Sequence, residues 1–212
     1  MNMEHIIANN LLEIKAVSLR PNEPFTWASG IKSPIYCDNR LVLSFPQKRK
    51  IVVDAFVERI QSEYPDVQAL MGTATAGIPW AAMVADQMEL PMGYVRSSNK
   101  SHGKGNKIEG KIEQGMKVVI VEDLISTGGS VLDVVESLRE TGAEVLGVAA
   151  IFTYLLPDAT ETFQSCDCPY ITLSNYDALI EVALTNNDIK QEDLEKLKAW
   201  KQDPRDESWI QK

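Results

Sequence analysis

The chain has 212 residues, of which 44% are hydrophobic and 24% charged, a composition typical of one globular domain with a substantial core. Its formal net charge of −9 argues against a general nucleic-acid partner, because binding a phosphate backbone requires clustered Lys and Arg. Hydrophobic runs stay below the roughly 18 residues of a membrane-spanning helix, and residues 1–15 do not resemble a signal or transit peptide, so we expect a cytoplasmic protein without a membrane partner.

Helical and strand patterns alternate along the chain. Hydrophobic spacing predicts helices over residues 3–17, 78–88, 131–140 and 176–184 and from Pro46 onward, and strands over 67–71, 92–95, 117–121, 145–153 and 170–173. Nearly continuous hydrophobic strands between helices indicate an α/β fold with an open parallel sheet flanked by helices. In such folds ligands bind beyond the carboxyl ends of the strands. Residues 188–212 are typical of an amphipathic helix with a polar end, and we expect them to pack on the surface.

The three cysteines are Cys37, Cys166 and Cys168. They are too few and too scattered for a disulfide framework. A tetrahedral metal site would need a second Cys pair or a nearby His, and the sequence has neither beside Cys166 and Cys168. We interpret all three as reduced thiols.

The segment 117–132 carries the strongest chemical signal. A hydrophobic strand ends in the adjacent carboxylates Glu122 and Asp123, and a turn with the Gly128-Gly129 pair then leads into a helix. The glycines let the backbone approach a ligand closely, and the N–H groups of the turn and of the first helical residues point into one concavity. Because the helix dipole also favours an anion there, the segment predicts a site for a phosphate monoester.

The two carboxylates need a different partner, because acids repel a phosphate. Vicinal ribose hydroxyls or an oxocarbenium-like ribosyl transition state meet that requirement. The simpler alternative is an acidic turn followed by an ordinary Ser or Thr helix cap. A dinucleotide-binding turn is a weaker alternative because G-x-G-x-x-G is absent here, and a Walker A loop is excluded because Gly-Lys-Ser/Thr does not occur.

The segment 96–107 is basic, polar and glycine-containing in an otherwise acidic protein. It lies between two predicted strands and is typical of a mobile loop that folds over an anion. Arg96, Lys100 and His102 can neutralise a pyrophosphate leaving group, and His102 is a candidate proton donor near neutral pH. A solvated basic loop without a function is the alternative.

These motifs together resemble the type I phosphoribosyltransferases, and among them the orotate phosphoribosyltransferases. Residues 118–130 resemble the phosphoribosyl-pyrophosphate (PRPP) signature, and the R-x-x-x-K-x-H-G pattern from Arg96 resembles the catalytic loop. Residues 25–36 resemble the hood that covers the base, and residues 72–79 resemble a turn that contacts pyrophosphate. The resemblance implies one phosphoribosyltransferase domain, residues 1–212, with a type I phosphoribosyltransferase-like fold in which residues 1–40 contribute a small N-terminal hood.

The resemblance also implies an activity and its residues. The activity is transfer of the phosphoribosyl group from PRPP to orotate, giving orotidine 5′-phosphate and pyrophosphate, with Mg²⁺ held mainly by PRPP and no protein metal ligands. A homodimer is implied, with loop 96–107 shared across subunits. The implied catalytic residues are Lys100, His102 and Asp123, and the implied orotate contacts are Ser126 and Tyr36. The implied PRPP contacts are Thr73, Ala74, Arg96, Lys100, His102, Glu122, Asp123, Leu124, Ile125, Ser126, Thr127, Gly128, Gly129 and Ser130.

Three positions depart from the family pattern. Ser97 stands where many members carry Lys, which places more of the transition-state stabilisation on Lys100. Ala76 and Tyr154 stand near positions where relatives carry basic residues. In those relatives an Arg near the position of Tyr154 helps to hold the orotate carboxylate. Two rival functions stay open: a phosphoribosyltransferase for a purine or uracil, and a non-catalytic regulator that senses PRPP.

Overall fold

A six-stranded sheet forms the centre of the protein in the computed structural model, which describes residues 2–27, 29–96 and 107–212. The sheet order is β10-β9-β8-β5-β6-β7, in which β7 is antiparallel to β6 and the other neighbours are parallel. The predicted parallel α/β sheet is therefore confirmed, with one antiparallel strand at its edge. In chain order the strands are β1 Val17–Leu19, β2 Phe25–Thr26, β3 Lys32–Ser33, β4 Ile35–Cys37, β5 Ala69–Thr73, β6 Met92–Val95, β7 Ile108–Glu109, β8 Lys117–Ile125, β9 Glu144–Thr153 and β10 Tyr170–Asn175.

Helices cover both faces of this sheet. Successive side chains of β8 alternate between two hydrophobic cores, because neighbouring residues of a strand point to opposite faces. Val119 and Val121 belong to the core beneath α1, α2, α3, α6 and α7, whereas Val118 and Ile120 belong to the core beneath α4 and α5. The helices are α1 Met3–Glu13, α2 Pro46–Glu63, α3 Gly77–Met88, α4 Gly129–Glu140, α5 Pro157–Ser165, α6 Tyr176–Thr185 and α7 Leu194–Gln202.

Helix α1 is shorter than the predicted range 3–17. It ends at Glu13, and Lys15 has a φ of 58°, which interrupts the helix. Val17 then pairs with Cys37 in the antiparallel ribbon formed by β1 and β4. The hydrophobic spacing continued past Glu13 because Val17 is buried in this ribbon, so strand pairing overrides the helical periodicity there.

Residues 17–37 form two small antiparallel ribbons, β1 with β4 and β2 with β3. Each strand has only two or three residues, which is too short to produce a periodic hydrophobic pattern. The chain then enters a 3-10 helix, Asn39–Ser44, and Pro46 opens α2 at a position where proline is well tolerated. The two ribbons and the 3-10 helix lead the chain from α1 past the carboxyl edge of the sheet.

The C-terminal segment contains the expected amphipathic helix, α7, and mostly exposed residues follow it. One face of the segment is buried more deeply than its polar composition suggested. Leu197 and Trp200 are fully buried, and Trp209, in the final 3-10 helix Glu207–Gln211, is 1% exposed. The two indole rings drive this burial, since each removes a large hydrophobic area from water. Among the described residues, no helix is both long and apolar enough to span a membrane.

Candidate active site

The carboxyl ends of the neighbouring strands β5 and β8 meet at one pocket of about 120 Å³. Five predicted PRPP contacts line this pocket. Thr73 and Glu122 are buried at its floor, with 4% and 7% of their surfaces exposed. The five predicted contacts are Thr73, Ala74, Arg96, Glu122 and Ser130.

The turn after β8 leaves the N-terminus of α4 open. Gly128 has a φ of 84°, and an added Cβ there would lie 3.1 Å from side-chain atoms of Thr162 and Phe163. Because Gly128 has no side chain, it cannot cap α4, and no side-chain cap is present among the described residues. Thr127, Gly129 and Ser130 are exposed around this helix end. Free N–H groups and exposed hydroxyls at a helix N-terminus suit an anion.

Two other predicted residues of this strand face the core. Ile125 is fully buried, and its backbone oxygen accepts a hydrogen bond from the N–H of Tyr154 at 3.3 Å. Leu124 is partly buried against the hydrophobic core. The side chain of Ile125 therefore does not face a ligand, whereas Asp123 and Ser126 are half-buried at the strand end.

Glu122 is protonated more readily than an ordinary glutamic acid. Burial raises its pKa from 4.5 to about 8, and a hydrogen bond to Asp123 and the charge of Asp123 act in the same direction. The N–H of Asp123 donates to Oε1 of Glu122 at 2.8 Å, which opposes the shift. Glu122 is thus largely neutral near pH 7, and this reduces the repulsion between the strand end and a phosphorylated ligand.

Protonation of Glu122 makes stability depend on pH. Its pKa is higher in the folded than in the unfolded chain, so its contribution is fully present below about pH 4.5 and is lost as pH rises through about 8. We expect the unfolding free energy to fall between these values with a slope approaching about 1.4 kcal/mol per pH unit from this group. Denaturant titrations from pH 5 to 8.5 should show that Glu122→Gln flattens the slope. The exposed-site control Glu140→Gln should keep the wild-type slope, and an unchanged slope in Glu122→Gln would contradict the assignment.

The turn from β5 into α3 is packed against β8. The hydroxyl of Thr73 donates to the backbone oxygen of Val121 at 3.4 Å, and Gly77 is the first residue of α3. A Cβ on Gly77 would collide with the backbone oxygen of Val121 and with Oγ1 of Thr73. Gly77 therefore allows the two strand ends to approach each other at the floor of the pocket.

We expect Gly77→Ala to destabilise the ligand-free protein by about 1–3 kcal/mol, because overpacking forces shifts of the surrounding backbone. Urea denaturation would measure this change. Gly129→Ala is the matched control, since an added Cβ there meets nothing within 4 Å and alanine favours the first turn of a helix. Equal stability of Gly77→Ala and the wild type would show that the turn relaxes freely.

Asn39 is a site residue that the sequence did not indicate. It is fully buried, and its Nδ2 donates to the backbone oxygen of Asp123 at 2.6 Å. Its Oδ1 accepts a hydrogen bond from Sγ of Cys37 at 3.3 Å. Burial raises the pKa of the Cys37 thiol, and the charges of Asp123 and Asp38 raise it further, so Cys37 stays protonated. All three cysteines are free thiols, as expected.

Aromatic residues stand on the other side of Asp123. Tyr36 of β4 is 47% exposed, and its ring centroid lies 5.7 Å from that of Phe25. Tyr154 is 3% exposed and stacks on Trp27 with 5.2 Å between the ring centroids. Burial raises the pKa of Tyr154, and the neighbouring ionisable groups of Cys37, Asp123 and Tyr36 raise it further. Tyr36, Asp123 and Tyr154 therefore share one neighbourhood.

Of the basic segment 96–107, the structure describes Arg96 and Lys107. Nη1 of Arg96 lies 3.4 Å from Oε1 of Glu109, and the N–H of Arg96 donates to the backbone oxygen of Lys107 at 2.8 Å. Both basic residues line the pocket. Lys100 and His102, the two predicted catalytic residues of the loop, lie outside the described residues. Over the described ranges, no three His, Cys, Asp or Glu side chains come together to hold a metal ion.

Known proteins are similar to this chain in sequence and in fold. The family model described as "Phosphoribosyl transferase domain" matches residues 43–174. Orotate phosphoribosyltransferase of Bacillus pumilus is 58% identical over 209 residues, covering 99% of each chain, and that of Bacillus subtilis is 55% identical over 210 residues, covering 99% of this chain and 97% of its own. The crystal structure of orotate phosphoribosyltransferase from Aeropyrum pernix superposes with a TM-score of 0.74 at 28% identity, covering 87% of this chain and 99% of the other.

Proposed function

The chain belongs to the orotate phosphoribosyltransferase family, and on that basis we propose that it transfers the phosphoribosyl group of PRPP to orotate, giving orotidine 5′-phosphate and pyrophosphate in pyrimidine biosynthesis. One observation carries the proposal beyond the family match. The carboxylates of Glu122 and Asp123 stand at the same strand end as the open N-terminus of α4. This arrangement suits a ribose 5-phosphate, because its hydroxyls need acceptors and its phosphate needs N–H donors.

The donor would lie along residues 122–130. The 5-phosphate would accept hydrogen bonds from the turn over residues 126–130, and the ribose hydroxyls would donate to Glu122 and Asp123. Since Glu122 is largely neutral near pH 7, Asp123 is the carboxylate suited to stabilise positive charge that develops on the ribose ring.

The diphosphate would occupy the pocket beside Thr73 and Ala74. Arg96 and Lys107 line the same pocket and bring positive charge to it. Lys100 and His102 follow Arg96 in the sequence pattern and would add further charge and a proton donor as the pyrophosphate leaves. Closure of residues 96–107 would exclude water, which otherwise hydrolyses the donor.

Orotate would lie between Asp123 and the ribbons of residues 17–37. Ser126 and the exposed ring of Tyr36 would border this space, and residues 1–40 would act as its hood. The ring nitrogen of orotate would attack the anomeric carbon of the ribose as the bond to pyrophosphate breaks. Catalysis then depends on positioning the two substrates and on charge stabilisation, since the reaction forms no covalent enzyme intermediate.

Mg²⁺ would accompany the donor. The described residues contain no cluster of acidic side chains that would hold the ion alone, and Mg²⁺ commonly keeps few protein ligands. The diphosphate, the ribose hydroxyls and water would supply most of its coordination. When bound, the ion neutralises part of the diphosphate charge.

A homodimer is the proposed working unit, with loop 96–107 completing the neighbouring site. Three large hydrophobic side chains support a covered surface close to Asp123. Tyr36, Leu41 and Phe45 are 47%, 39% and 39% exposed, although side chains of this size are usually buried. We propose that the enzyme acts in the cytoplasm.

A spectrophotometric assay of orotate consumption with PRPP and Mg²⁺ tests the reaction. Turnover with orotate, and none with uracil or a purine base, is the expected result. Turnover with another base only would reassign the acceptor. Binding of PRPP without turnover of any base would contradict the enzyme and favour a PRPP sensor.

A further inference from the structure

The buried side chain of Trp200 connects the C-terminal segment to the N-terminal ribbons. Its Nε1 donates to the backbone oxygen of Lys32 at 3.0 Å. Lys32 belongs to β3 and lies opposite Thr26 of β2 in their antiparallel ribbon. Burial removes the indole N–H from water, and this bond satisfies it while linking helix α7 to a ribbon 168 residues earlier in the chain.

The same indole packs against two aromatic rings, those of Trp27 and Tyr154. It meets Trp27 edge-on, with 5.7 Å between the ring centroids and an interplanar angle of 86°. It meets Tyr154 in the same way, at 6.0 Å and 87°. Trp27 follows β2, and Tyr154 follows β9, so Trp200 touches the ribbon and the end of the central sheet at once. Helix α7 is itself held by the hydroxyl of Tyr176, which donates to the backbone oxygen of Leu197 at 3.2 Å.

Two hydrogen bonds fix the residues between Lys32 and Tyr36. Oγ of Ser33 donates to the backbone oxygen of Ile35 at 2.9 Å, and Nε1 of Trp27 donates to the same oxygen at 3.2 Å. Ser33 and Ile35 are fully buried, whereas the next residue, Tyr36, is 47% exposed. The position of Tyr36 relative to Asp123 therefore depends on how β3 is held.

We propose that Trp200 is a positioning residue for the acceptor: its hydrogen bond to Lys32 and its packing between Trp27 and Tyr154 hold the β2–β3 ribbon, and through Ser33 and Ile35 they fix the start of β4, which carries Tyr36 beside orotate. The proposal rests on the proposed role of residues 1–40 as the hood over the base. It assigns a function to the C-terminal segment, which otherwise lies away from the phosphate turn. The donor side should be unaffected, because Trp200 packs on the ribbons and the end of β9 rather than on residues 126–130.

Trp200→Phe removes the indole N–H and keeps an aromatic ring. We expect the KM for orotate to rise about 3- to 10-fold, the effect of losing one buried hydrogen bond. The KM for PRPP and kcat should stay within about twofold of wild type, since catalytic groups are unchanged. Steady-state kinetics with each substrate varied in turn would measure this split.

Trp209→Phe is the matched control. Trp209 lies in the same C-terminal segment and is 1% exposed, but its Nε1 has no hydrogen-bond partner in the part of the chain that the structure describes. Its replacement removes the same atoms from a buried site without cutting the link to Lys32. Both KM values should therefore stay at the wild-type level in this variant, whatever its thermal stability.

The outcomes distinguish the positioning role of Trp200 from the proposed role of residues 1–40 as a hood. An unchanged KM for orotate in Trp200→Phe, or an equal rise of both KM values, would overturn the positioning role. Tyr36→Ala tests the hood independently. A raised KM for orotate in Tyr36→Ala but not in Trp200→Phe would reject only the role of Trp200, whereas an unchanged value in both variants would reject the hood as well.

Discussion

Asp123→Asn is expected to lower kcat by about 100- to 1000-fold, the usual cost of removing one group that stabilises transition-state charge. Asn keeps the shape of the side chain and removes its negative charge, and the bond from Asn39 is preserved because it goes to the backbone oxygen of residue 123. The KM values should change much less than kcat, since the charge on the ribose develops only in the transition state. Initial rates with saturating orotate and PRPP would measure the loss.

Asp133→Asn provides the control for Asp123→Asn. Asp133 lines the pocket of Thr73 and Glu122 from α4 and is exposed, so its replacement removes one negative charge close to the site without changing the end of β8. Its kcat should stay within a few-fold of wild type. Similar losses in the two variants would mean that Asp123 acts only through the overall charge of the site.

Lys100→Ala is expected to lower kcat by about 100-fold and to change orotate binding far less. The family resemblance implies one cation fewer at Ser97, so we expect the proposed stabilisation of the leaving group to depend more heavily on Lys100. Lys104→Ala, in the same basic segment but outside the R-x-x-x-K-x-H-G pattern, should retain most of the activity. Equal activity of Lys100→Ala and the wild type would remove Lys100 from the mechanism.

Mixing Lys100→Ala with Asp123→Asn tests the shared loop. If residues 96–107 complete the neighbouring site, a mixed dimer contains one site with both native residues. Random exchange of subunits would then restore roughly a quarter of the wild-type activity. No recovery after verified exchange would show that each loop serves its own subunit.

Several fold predictions held because they depended on local patterns. The hydrophobic runs of β8, β9 and β10 were long enough to identify buried strands, and their order with the helices identified the α/β class. Helix α5 and the two-residue strand β7 were not predicted. The first is short and mostly polar, and the second pairs with β6 through backbone groups that a hydrophobic pattern does not report.

The turn over residues 126–130 is the part of the proposed site that the sequence predicted by itself. Glu122, Asp123 and the glycines that follow are contiguous, so strand, carboxylates, turn and helix must lie in that order wherever the strand sits. Local spacing was sufficient because a helix N-terminus binds an anion through its own backbone.

Tertiary structure decided the contacts between distant parts of the chain. The bond from Asn39 to the Asp123 backbone, the link from Trp200 to Lys32 and the burial that keeps Glu122 largely neutral near pH 7 all join or enclose residues far apart in sequence. Burial and long-range hydrogen bonding depend on which elements meet, and no local pattern encodes that choice. The same sequence run that predicted a phosphate site therefore could not indicate that burial raises the pKa of Glu122.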